Sequence, residues 1–211
     1  KKGILFKGNL NKCDFIGHQM IDGKIIVKGD VGDYLGNKMK GGKIIIYGSS
    51  SNYTGASLSN GEILVTKNTG DFLGSSIQGE KLGMSGGTII VKGNAGNRVG
   101  YKMRSGIIFI KKNAKDFIGC QMIAGTIIIK GKIGSNLGLL MKRGTIILEK
   151  QKLSASHLSY NGKNNYIFLK VIQSYLEKLN DEFKDIFPNT YIKKYLGDIN
   201  CKGMGEILIL K

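Results

Sequence analysis

Gly87-Thr-Ile-Ile-Val-Lys-Gly-Asn-Ala-Gly-Asn-Arg-Val-Gly-Tyr-Lys-Met103 decides the fold of this chain, because the same phrasing returns along most of its length. Its opening glycine, followed by an apolar triplet, recurs as Gly23, Gly42, Gly61, Gly87, Gly106, Gly125 and Gly144. The interval is 19 residues except from Gly61 to Gly87, where it is 26, so one coil carries 26 − 19 = 7 extra residues, expected within Gln78 to Gly86. A second glycine keeps phase at Gly17, Gly36, Gly55, Gly74, Gly100, Gly119 and Gly138, and a third at Gly32, Gly70, Gly96 and Gly134. Apolar residues do the same: Met20, Met39, Leu58, Ile77, Met103, Met122 and Met141 form one column, and Ile16, Leu35, Leu73, Val99, Ile118 and Leu137, with Thr54, form another. A period this short is one coil of a solenoid, in which like residues stack about 4.8 Å apart and strands of neighbouring coils pair in parallel. The pattern predicts a mainly β protein, a right-handed parallel β-helix of about seven to eight coils over 1–162, followed by a helix and capping tail over 163–211.

Strand parity divides each triplet between two faces. First and third residues face the core, so the middle residues Ile26, Ile45, Leu64, Ile90, Phe109, Ile128 and Ile147 form an outward apolar stripe, with Lys28, Lys92, Lys111 and Lys130 flanking it. At about 1.5–3 kcal/mol for each covered side chain, this stripe is too apolar to stay wet. Its cover is either the chain's own C-terminal segment or another subunit.

The repeat fades after Gly144, where His157 and Tyr160 stand at the positions due for glycine and methionine, and Asn161-Gly-Lys-Asn-Asn165 reads as a linker and helix start. From Tyr166 to Phe187 apolar residues fall at spacings of three and four, predicting an amphipathic helix stopped by Pro188 that folds over the solenoid end or along its side. Gly203-Met-Gly-Glu-Ile-Leu-Ile-Leu210 predicts a tight turn and a last short strand.

The 211 residues carry 32 Lys and Arg against 15 Asp and Glu, a net charge of +17, which calls for an anionic partner or a solvated basic face. Exposed aromatic residues for base stacking are not evident in the pattern, so nucleic acid is disfavoured. Cys13, Cys120 and Cys201 lie far apart with only His18 and His157 as imidazoles, so the sequence offers neither a zinc site nor a nucleophile with its base. Asp14, Asp33, Asp71 and Asp116 recur in phase, each before an aromatic residue, and read as corner carboxylates accepting backbone N–H groups. No apolar run is long enough to span a membrane and no signal core opens the chain, so neither insertion nor secretion is expected; the scattered cysteines suggest a reducing cytoplasm, and the missing initiator methionine a trimmed or partial chain. A hexapeptide-type solenoid acyltransferase would need an 18-residue period and a placed catalytic histidine, and the chain shows neither.

The pattern G-x-I-I-V-x-G-x-x-G-x-x-x-G-x-x-M, seen from Gly23 to Met39 and from Gly87 to Met103, resembles the glycine-rich β-helix of the C subunits of formylmethanofuran dehydrogenases. That family includes the corresponding β-helix of the bacterial formyltransferase/hydrolase complex and is related to the C-terminal domain of the glutamate synthase large subunit. The ending Tyr195-Leu-Gly-Asp198 with Gly203-Met-Gly-Glu206 is similar to the tails of these C subunits, whereas Thr54-Gly-Ala-Ser-Leu58 departs from the repeat. The resemblance implies a non-catalytic scaffold in a heteromeric one-carbon complex, with chemistry in the partner subunits and the stripe Ile26 to Ile147 as the partner surface. It also implies a methanofuran-type cofactor with a polyglutamyl tail, for which Lys38, Lys40, Lys102, Arg104 and Lys142 are the candidate contacts. A glutamate-synthase-like coupling role is the alternative within this resemblance.

Overall fold

Each apolar triplet is extended, because β-branched residues between glycine corners suit a pleated strand and little else. In the computed structural model, which describes residues 3–153, 155–179, 183, 184, 186, 187 and 191–210, the elements run β1 (Gly3–Lys7), β2 (Lys24–Lys28), β3 (Lys43–Ile46), β4 (Glu62–Val65), β5 (Ser85–Val91), β6 (Ser105–Ile110), β7 (Thr126–Ile129), β8 (Thr145–Glu149), β9 (Ser159–Asn165), α1 (Phe168–Leu179), β10 (Tyr191–Leu196) and β11 (Glu206–Leu210). Strands β1 to β8 pair in parallel in chain order, and β11 pairs in parallel with β8 as the next rung before β10 and β9 close the sheet antiparallel. The parallel β-solenoid read from the repeat is therefore the fold.

Parity holds from β2 to β8, whereas every residue of β1 is exposed. Val27, Ile44, Ile46, Ile63, Ile89 and their equivalents fill the solenoid core together with Met39, Met103, Met122 and Met141. The middle residues Ile45, Leu64, Ile90, Phe109, Ile128 and Ile147 belong instead to a second cluster with Leu169, Leu176, Phe183, Ile186, Ile192 and Leu208. The C-terminal segment thus lies along the side of the solenoid and seals the stripe. This corrects the reading of the stripe as a partner surface: Ile128 and Ile147 are 0% exposed and Ile45 only 8% within the single chain, and Ile26 at the N-terminal end is partly buried against the same cluster. The physical reason is economy of burial, since α1 offers its own apolar face at the place where the stripe needs one.

Three further details depart from the sequence reading. Met84, 0% exposed, takes the place in the methionine column assigned to Ile77, and its N–H donates to the Gly74 carbonyl as Met103 does to Gly100. Phase must be counted back from the glycine after the insertion, which loops out between Ser76 and Gly83. Asn161 to Asn165 is not a linker but part of β9, a polar edge strand paired with β10, whose lack of apolar alternation hid it. The helix occupies Phe168–Leu179, inside the expected span, and Pro188 lies outside the described residues.

Corners stack as regularly as strands. The Asp71 carboxylate accepts the Asn97 N–H at 2.7 Å, the Asn97 side-chain oxygen accepts the Asp116 N–H at 3.2 Å, and Asp116 accepts the Ser135 N–H at 2.7 Å. Asp14, Asp33 and Asn52 continue this ladder towards the N-terminus, so the corner carboxylates do cap backbone donors, one coil further along. The third glycine now has its reason: a Cβ on Gly96 would run into that Asp71 carboxylate. At Gly100 the backbone is left-handed with φ of 67°, and a Cβ would stand 2.5 Å from the Ile127 δ-methyl.

The stack ends through substitutes for a missing coil. Leu140 N–H donates to the Asp198 carboxylate at 2.6 Å, where earlier coils offer a backbone carbonyl; Gln121 N–H, for example, donates to Leu139. The His157 ring likewise meets the Leu137 carbonyl at 2.8 Å. Asp198 is fully buried and also holds the Asn200 N–H at 2.9 Å, so one side chain fixes both the last corner and the turn into β11.

Candidate functional site

The five basic residues singled out from the repeat fall into two adjacent columns of one corner. Lys40, Arg104 and Lys142 share a position, each donating its N–H to the methionine carbonyl of the coil before, to Met20 at 2.7 Å, Met84 at 2.8 Å and Met122 at 2.8 Å. All three residues are exposed. With coils about 4.8 Å apart, Arg104 and Lys142, two coils apart, are separated by about 10 Å, and Lys40 stands about 14 Å before Arg104. Ser59, Ser85 and Ile123 fill the coils between, so the stripe is a spaced row of cations and not a continuous band.

Lys38 and Lys102 occupy the column two residues earlier, both left-handed at φ 54°. They are not equivalent in environment. The Lys38 ammonium pairs with Glu80 of the inserted loop at 2.7 Å, and Ser57 donates its hydroxyl to the same carboxylate at 2.5 Å. The hydrogen bond from Lys38, then that from Ser57, hold the Glu80 carboxyl below its ordinary value against the opposing effect of burial. Lys102 instead lies 5.1 Å from the centre of the Tyr101 ring.

Arg104 and Lys142 converge with Arg143 and Lys202 on a cavity of about 640 Å³ floored by Ile123, Ala124 and Met204. Among the described residues no acidic side chain lines it. Four cations above an apolar floor suit a flexible anionic chain with methylene segments, because the charges gain Coulomb attraction while the stem covers the floor. Arg143 and Lys202 complete the cluster; Lys202 is illegible in the repeat because it arrives from the tail.

Cys120 is 5% exposed and its thiol is pushed up by burial, which Arg98 only partly counters. Among the described residues no group of three or more His, Cys, Asp or Glu side chains is arranged to hold a metal ion, and no helix is long and apolar enough to cross a membrane.

The feature that sequence reasoning missed is an aromatic column. Phe15, Tyr34, Tyr53 and Phe72 stack face to face with ring centres 4.6, 4.9 and 4.7 Å apart, Phe15 being 49% exposed. Its signal is present in the Asp-aromatic pairs of the corner, so exposed aromatic residues do exist on this surface. Burial, then the neighbouring Tyr34, raises the Tyr53 phenol above its ordinary value, with Arg98 opposing.

A family model described as the GXGXG motif matches residues 6–196. A comparison with curated proteins finds no match. Among solved structures, a chain of the X-ray crystal structure of the formyltransferase/hydrolase complex (FhcABCD) from Methylorubrum extorquens in complex with methylofuran superposes with a TM-score of 0.91 at 29% identity, over 100% of this chain and 79% of that one. This agrees with the resemblance that the 19-residue repeat carries. A glycine repeat whose every phase has a stacking reason, matched by that family model over nearly the whole solenoid and its cap, shows that the chain belongs to the GXGXG motif family.

Proposed function

We propose that this chain is the solenoid subunit of a heteromeric complex handling a formylated furan cofactor, of the formyltransferase/hydrolase kind, in which it acts as scaffold and leaves the reacting groups to its partners. The observation that carries this reading is the superposition of the whole chain, tail included, on a chain of the formyltransferase/hydrolase assembly at a TM-score of 0.91. The match covers 100% of this chain, so it takes in the C-terminal segment as well as the solenoid.

With the stripe sealed, the partner surface must lie elsewhere, and the basic corner is the side the charge favours. The residues present fit an anionic cofactor tail: Lys40, Arg104 and Lys142 run in one row towards the cavity that Arg143 and Lys202 complete. On the neighbouring column Lys102 rests against a ring, whereas Lys38 is engaged by Glu80. When bound, the cofactor would supply the formyl-carrying amine; the residues of this chain would orient its carboxylates and screen their mutual repulsion.

The test is to purify the tagged chain from its native cells and assay the recovered assembly for formyl transfer. Co-purification of the activity with other subunits is expected, and charge reversal at Arg104 and Lys142 should weaken cofactor affinity and flatten its salt dependence. Recovery of the chain alone, or affinity and salt dependence unchanged in the R104E/K142E complex, would overturn the scaffold and tail readings respectively.

A further inference from the structure

The aromatic column is interrupted at one rung by a cation. Arg98 holds the position that Phe72 and Phe117 hold in adjacent coils, with the same left-handed backbone at φ 57°. Its guanidinium carbon lies 5.7 Å from the Phe72 ring centre and 5.3 Å from that of Phe117, with Tyr101 at 5.8 Å. Rings of the coils before and after therefore flank the guanidinium, which leaves the N–H donors of its edge for acceptors in its own plane.

Among the described residues the Arg98 side chain makes no hydrogen bond and no ion pair, although it carries five N–H groups. Arg98 is half-buried and its nitrogens are not among the buried side-chain atoms left without a partner, so they reach solvent and are open to an external acceptor. The same rung opens into a cavity of about 310 Å³ whose walls include Tyr53, Phe72, Tyr101, Arg98 and Lys102, with Ser76 to Gly79 of the inserted loop as its rim. The inserted loop thus borders the cavity, and inside the same wall Phe72 and Tyr101 meet edge to face at 82°.

We propose that this cavity binds a small planar aromatic anion, its ring lying against Tyr53 and Tyr101 and its carboxylate or phosphate received by the edge of Arg98 with Lys102 beside it. Size supports one ring or two, since the volume sits at the lower end of ligand pockets. Charge supports an anion, because the two charged groups in the wall are both cations. The fork geometry of a guanidinium held between rings favours a bidentate acceptor over a point charge. The site goes beyond the tail reading, which needs only a row of cations and no ring.

The purified full chain is titrated calorimetrically with 4-hydroxybenzoate, p-cresol and cyclohexanecarboxylate, which present ring and charge together, ring alone, and charge without a planar ring. One equivalent of 4-hydroxybenzoate is expected to bind at least about tenfold more tightly than either control, as loss of a charge-assisted pair or of the stacking face implies. R98Q should weaken it by about tenfold or more and K102M by less, while K67Q, an equal loss of charge outside the cavity wall, leaves it unchanged. Equal affinity for the three probes, or undiminished binding of 4-hydroxybenzoate by R98Q, overturns the proposal. Should R98Q fail to fold by circular dichroism, undiminished binding by K102M overturns it instead.

Discussion

Truncating Phe109 to alanine tests the seal between solenoid and helix at its centre. Phe109 is the middle residue of its triplet, 4% exposed, packed with the C-terminal segment and not in the solenoid core, and its ring meets Phe183 edge to face at 4.7 Å and 87°. Loss of a buried phenylalanine costs about 3–5 kcal/mol, of which the ring pair accounts for about 0.5–1.5 kcal/mol. Because Ile108 and Ile110 keep their places in the other cluster, most of that loss falls on docking of the C-terminal segment. Amide exchange in Phe168–Leu179 should then accelerate by about two to three orders of magnitude, while exchange in β6 changes far less. A double-mutant cycle with F183A should return a coupling of about 0.5–1.5 kcal/mol. Exchange in α1 within about twofold of wild type, or a coupling near zero, would refute the seal as drawn.

Two further perturbations probe the ends and the insertion. Asp198→Ala strips the buried acceptor from Leu140 and Asn200 and should lower stability by about 2–3 kcal/mol in urea unfolding, with β11 losing amide protection first. Glu80→Gln removes the partner of Lys38 at a partly exposed site and should cost less than about 1 kcal/mol at neutral pH. The Glu80 carboxyl is held below its ordinary 4.5, so its contribution is present above that value and lost as pH falls through the lower folded one; the gap between wild type and E80Q should close in acid melting curves.

Much of this architecture is legible in the sequence because a solenoid writes each structural role many times over. Ile44, Ile63, Ile89 and Ile108 repeat one environment, and any one of them predicts the others. What escapes is what occurs once or off phase. Strand β1 pairs with β2 at an offset of 21, from Gly3 to Lys24, because Asn11 and Lys12 are additional between Leu10 and Cys13, so the 19-residue count passes over it. Strand β9 carries polar residues on both faces and no period that strand reasoning detects. The basic cavity is half legible: Arg104 and Lys142 sit in phase, while Lys202 is brought there only by the return of the chain into β11. Stripe and helix are each evident from sequence, but their mutual contact depends on the path through 150–165, where periodicity gives no direction.

Cryo-electron microscopy of the assembled complex, purified through a tag on this chain, tests the central claim most directly. The map should show parallel rungs from β1 to β8 and β11, α1 lying on Ile45 to Ile147, and partner subunits on other faces of the solenoid. A partner element seated on that stripe with α1 displaced, or a chain found with no partner at all, would contradict it.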